Sequence, residues 1–138
     1  DNWDRIDGNG GDDMIVAGDA DARSYAEIHG GDGNDTIEAG DNWDRIHGDA
    51  GNDLFIFDDV SGQTHVDGGS GAWTDVIETD FAGGPGASLA GGGWTLEVEG
   101  QQIVDGREHG SIDVDDKQGS IHTENGTIDF DNIDKIEW

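Results

Sequence analysis

Cysteine is absent from this chain, so neither a disulfide framework nor a thiolate metal site is available to hold it together. That absence leaves the compartment open. Basic residues are scarce: 6 Lys and Arg face 33 Asp and Glu, for a formal net charge of -27. A surface of that sign repels the phosphate backbone, which excludes a nucleic-acid partner. No apolar run is long enough to span a bilayer, and the opening Asp1-Asn2-Trp3-Asp4 lacks the basic and apolar regions of a secretory leader. An export address is therefore expected elsewhere. Hydrophobic residues make up only 32% of the chain, a composition that by itself would suit disorder.

What is abundant is ordered. The 25 glycines recur in register and the aliphatic residues recur with them, which a merely solvated acidic tail has no reason to do. Asp1-Asn2-Trp3-Asp4-Arg5-Ile6 returns unchanged as Asp41-Asn42-Trp43-Asp44-Arg45-Ile46, an offset of 40, or four units of nine plus four residues. The anchor copy is Gly30-Gly31-Asp32-Gly33-Asn34-Asp35-Thr36-Ile37-Glu38, which fits G-G-x-G-x-D-x-U-x at every fixed position, U being a large apolar residue. Extended both ways, the frame puts Ile6, Ile15, Ile28, Ile37, Ile46, Phe55, Val66 and Ile77 at U. It requires four inserted residues near 22–25 and two more in each of the units 57–67 and 68–78.

A Gly-rich turn followed by a three-residue strand, repeated, winds into a coil with two units per turn, and stacked turns pair as parallel strands about 4.8 Å apart. These nonapeptides resemble the repeats-in-toxin (RTX) family, whose units form calcium-binding parallel β-rolls in type I secreted bacterial proteins. The resemblance covers residues 1–78. It implies an all-β fold, a parallel β-roll (RTX solenoid) with a C-terminal β-strand cap, and Ca2+ as the cofactor, several ions per roll.

Successive turns fall alternately on two edges. One carries Asp13, Asp35, Asp53 and Asp75 without a gap, whereas the other carries Asp4 and Asp44 but Ala26 and Thr64 at the equivalent places. Calcium takes six to eight oxygens, which a tight turn supplies through inward carbonyls while an Asp closes the shell from the adjacent coil. Glycine is needed where a Cβ would obstruct the turn. Sites are therefore expected between Asp13 and Asp35, Asp35 and Asp53, and Asp53 and Asp75, with Gly8, Gly11, Gly30, Gly33, Gly48, Gly51 and Asp32 in the turns. On the other edge Asp19, Asp21, Asp58 and Asp59 are substitute ligands for the missing acids. His29 and His47 fall at outward positions and read as surface. One buried apolar residue per nine cannot offset the entropy of the chain. Calcium at ten times its Kd adds about 1.4 kcal/mol per ion, so about four ions give about 6 kcal/mol, comparable to the stability of a small domain.

After Ile77 the pattern dissolves into a Gly-rich connecting loop, 79–93, around Pro85 and Gly91-Gly92-Gly93. The segment 94–138 then alternates Trp94, Leu96 and Val98, Ile112 and Val114, and Ile128 and Phe130, as amphipathic strands of a β cap do. Gly126 to Trp138 resembles the C-terminal end of large type I secreted adhesins, which implies an export signal there, a role for the type I secretion machinery as partner and an extracellular or cell-surface location. A hydrophobic lid over the open end of the roll is the plainer reading of the same segment.

Three functions follow as expectations. The first is a structural and secretion module that folds on extracellular calcium. The second is a carbohydrate- or ice-binding module on the same scaffold, with Trp3 and Trp43 on one edge about 9.6 Å apart as a sugar platform. Ice suits it poorly, because Asp12, Asp32, Asn34, Ala50 and Asn52 give no regular Thr ladder. The third is an accessory roll of a secreted epimerase, protease or lipase. The chain itself has no H-E-x-x-H or G-x-S-x-G, so no enzyme is expected in it.

Overall fold

The computed structural model describes residues 3–18, 25–40, 43–86 and 88–138. Among the described residues there is no helix. Eight short strands alternate between two parallel stacks. One stack holds β1 (Trp3–Asp7), β3 (Tyr25–Asp32), β5 (Arg45–Ala50) and β7 (Gly62–Asp67). The other holds β2 (Met14–Val16), β4 (Thr36–Glu38), β6 (Leu54–Phe57) and β8 (Val76–Thr79). All pairings within each stack are parallel. This is the β-solenoid that the nonapeptide period demands.

Strand alternation turns one residue of each pair inward, and the inward residues stack in register. Ile6, Ile28, Ile46 and Val66 are successive partners in one wall, and Ile15, Ile37, Phe55 and Ile77 in the other. Partners lie 18 residues apart from Ile28 to Ile46 and Ile37 to Phe55, but 22 from Phe55 to Ile77. The register survives because the inserted residues bulge in the turns, where they displace no core side chain.

The carboxyl-terminal region is more closely built into the roll than a lid would be. β9 (Thr95–Val98), β10 (Gln101–Ile103) and β11 (Ser111–His122) form an antiparallel set. The last strand, β12 (Gly126–Glu137), instead runs parallel to the roll and supplies one further coil of it. Its first half pairs with β7, setting Phe130 against Val66, and its second half pairs with β8, setting Ile136 against Ile77. Both apolar ladders thus gain a fifth rung. β11 then lies antiparallel along β12 and covers that coil. The physical reason is the spacing inside β12: Ile128 and Phe130 point in, the chain turns at Asn132 (φ 54°), and Ile133 and Ile136 point in again. Trp94 and Trp138 close the core beside Phe81, with ring centroids 5.6 and 5.9 Å apart.

Candidate metal centre

The edge that the sequence marks with an unbroken run of Asp is a physical column. Each backbone amide at this position donates to the carboxylate of the next coil: Asp13 to Asp35 Oδ1 at 2.8 Å, Asp35 to Asp53 Oδ1 at 2.9 Å, and Asp53 to Asp75 Oδ1 at 2.9 Å. One carboxylate oxygen each of Asp35, Asp53 and Asp75 is thereby used in tying coil to coil. The Oδ2 atoms of Asp13, Asp35 and Asp53 are buried with no hydrogen-bond partner. A buried carboxylate oxygen left unpaired is costly, and three in a line call for a common explanation.

The turns lie around those oxygens. Gly8 faces Asp13 Oδ2 so closely that an added Cβ would stand 2.8 Å from it, and Gly30 and Gly48 face Asp35 and Asp53 Oδ2 more closely still. The same absent Cβ would stand 2.9 Å from the Gly48 carbonyl at Gly30, and 2.7 Å from the Gly68 carbonyl at Gly48. The carbonyls of Gly11 and Gly33 likewise press on Gly33 and Gly51 of the next coil, where φ of 139° and 136° excludes most side chains anyway. Space and hard oxygens therefore coincide between coils. No group of three or more His, Asp or Glu side chains converges on a metal-sized gap among the described residues, so any cage here is chiefly main-chain carbonyl, closed by carboxylates. Such a donor set fits calcium, which prefers oxygen and tolerates flexible geometry.

Electrostatics point the same way. Burial raises Asp35 above the ordinary carboxylate value, and pushes Asp53 to about 6 and Asp75 to about 7, with the neighbouring acids of the column adding to the shift. None of the recorded ion pairs among the described residues reaches this column. A bound divalent cation reverses that balance by supplying the missing charge.

The other edge is different. Asp44 is buried and its Oδ1 accepts the Ala26 amide at 3.1 Å, which repeats the column's bond once, and burial raises its pKa. Asp4 is exposed opposite Ala26, and Thr64 is buried. Asp19 and Asp21 lie outside the described residues. Asp58 and Asp59 are exposed, and Asp59 Oδ1 accepts the Val60 amide. Asp32 sits exposed on the rim of its turn, with its backbone bonded to Asn9 and Gly11.

Trp3 and Trp43 are 60% and 55% exposed, and Tyr25, the Cα partner of Trp3, is also exposed. His29 and His47, read as outward surface side chains, are half-buried and stack with ring centroids 4.7 Å apart. His29 also reaches Asp49 at 3.0 Å and Glu27 at 3.3 Å. Strand partners in the roll sit close enough for this, and only the register reveals it.

Comparison with known proteins adds one finding. Residues 1–21 and 27–55 match the family described as RTX calcium-binding nonapeptide repeat (4 copies). No curated protein and no solved structure matches the chain.

Proposed function

We propose, on the premise that this chain carries RTX calcium-binding repeats, that it is a calcium-folded structural module from the C-terminal region of a type I secreted, adhesin-like surface protein. In this reading residues 1–78 with the Asp13, Asp35, Asp53 and Asp75 column hold several calcium ions, 79–93 connect, and 94–138 cap the roll and include the export signal region. The cation supplies positive charge and six to eight oxygen-binding positions between coils. The protein's own groups do the rest: Gly8, Gly30 and Gly48 leave the gap, turn carbonyls line it, and the Asp carboxylates close it. With calcium scarce, the unpaired acids repel and the coil is disordered. On reaching millimolar extracellular calcium it folds.

The observation that carries this reading is the line of buried, unpartnered Oδ2 atoms on Asp13, Asp35 and Asp53. Far-UV circular dichroism of the chain with calcium, then with excess chelator, tests it: sheet signal is expected with the ion and loss of it without. A spectrum indifferent to chelator sinks the proposal. No catalytic role is assigned to the chain.

A second reading, a carbohydrate platform, draws on one observation. Trp3 and its strand partner Tyr25 are exposed large aromatics side by side, and Trp43 is exposed as well; exposed aromatic faces are suited to stacking on sugar rings.

A further inference from the structure

The Asp column does not end with the repeats. Asp75 donates its backbone amide to Asp134 Oδ2 at 2.9 Å, the same bond that joins Asp53 to Asp75. Asp134-Lys135-Ile136 has the spacing of Asp75-Val76-Ile77 and of Asp53-Leu54-Phe55, and the register sets Lys135 on Val76 and Ile136 on Ile77. Phe130 likewise sits on Val66 and Asp131 on Asp67. The residue after Asp131, Asn132, then takes the place of the first glycine of a repeat: its carbonyl faces Gly68 closely, as the Gly68 carbonyl faces Gly48.

The gap between these two coils shares with the others a glycine set against both a carboxylate and the next coil's carbonyl. An added Cβ on Gly68 would stand 2.7 Å from Asp75 Oδ2. Asp75 is 3% exposed. Its Oδ1 is taken by the Asp53 amide, and its Oδ2 faces Gly68. More acid arrives from the covering strand. The pairing of β11 with β12 slips between Asp113, opposite Lys135, and Lys117, opposite Ile133, so that the intervening bulge, with Asp115 and Asp116 at left-handed φ of 49° and 58°, stands opposite Asp134.

We infer that Asp75, Asp134 and the Asn132 carbonyl form a further calcium site, in which the non-repetitive C-terminal strand is bound to the roll by a shared metal ion. This rests on the calcium reading of the column and extends it beyond the repeats. The turn before Asp134 is short: Asn132 and Ile133 alone precede it, where a full repeat has five residues before its Asp. It therefore offers fewer carbonyls, and water or the Asp115–Asp116 bulge completes the shell. This makes the site weaker than those between complete repeats, and the last of the column to fill. Its consequence is that β12, and with it β11, is ordered by the same ion that orders the repeats.

Calorimetric calcium titration of the chain tests the assignment with Asp134→Asn, Asp53→Asn and, as control, the exposed Asp113→Asn. Asparagine keeps an oxygen for the Asp75 amide while removing charge. The expected result is one ion fewer for Asp134→Asn and for Asp53→Asn, and no change for Asp113→Asn. In Asp134→Asn, hydrogen exchange at the Lys135 and Ile136 amides rises while that at Phe55 stays slow. If Asp53→Asn loses an ion and Asp134→Asn does not, the C-terminal site is refuted while the column stands. If neither loses one, both are refuted. Crystals grown in calcium provide a check independent of folding in the variants: a metal peak between Asp75 and Asp134 is expected, and peaks at the other layers with none there overturn the inference.

Discussion

Replacing Gly48 by alanine isolates the metal gap from the rest of the fold. Gly48 is buried and has no left-handed φ, so alanine suits its backbone. The new Cβ would meet Asp53 Oδ2 and stand 2.7 Å from the Gly68 carbonyl, both oxygens of the proposed cage. The carbonyl belongs to the main chain of the next coil and cannot swing aside, so the methyl both strains the stack and occupies the place of the ion. Overpacking of this kind costs about 1–3 kcal/mol. Losing one ion at ten times its Kd costs about 1.4 kcal/mol more. Together they amount to about 2–4 kcal/mol, which lowers the melting temperature of a domain of this size by roughly 10 °C. Gly106→Ala is the matched control, since its Cβ meets nothing within 4 Å and its φ is ordinary. Calorimetric titration and thermal melts in calcium are the assay. The reasoning fails if Gly48→Ala binds as many ions as Gly106→Ala and melts with it.

Two further outcomes are expected. In calcium-free buffer the folded roll should be favoured by acid: Asp53 and Asp75 are raised to about 6 and about 7 from an ordinary 3.8, so the folded state binds more protons than the unfolded one. The stability this contributes is full below about pH 4 and lost as pH rises through 6 to 7. Sheet content in chelator that stays flat or falls between pH 8 and pH 5 contradicts it. For the exposed aromatics, a glycan array is expected to show retention by the native chain and loss in the Trp3→Ala, Trp43→Ala double variant. Absence of any retained glycan ends the carbohydrate reading.

The period, the eight apolar rungs and the Asp13, Asp35, Asp53 and Asp75 series were legible in the sequence because each is a local rule repeated. A glycine is required where a Cβ would strike a neighbouring carbonyl, a carboxylate where oxygens converge, and a branched or aromatic side chain where a three-residue strand turns inward. The match of residues 1–55 to calcium-binding repeats rests on the same local rules. Even the four-residue insertion before Ile28 left the frame readable, since the repeat resumes in phase after it.

The place of β12 was not legible in that way. Phe130, Asp134 and Ile136 occupy roll positions without the glycines that announce a repeat, and Asp134 lies 59 residues from the Asp75 amide it accepts. Nothing local to Gly126–Glu137 distinguishes a strand that continues the solenoid from one that lies over its end. Nor did sequence place His29 face to face with His47, a contact set by parallel register. The amino-acid order therefore determined what each coil is made of, because those demands act within nine residues. Which segment supplies the last coil was decided only in three dimensions, where the exposed edges of β7 and β8 had to find a partner with matching inward residues.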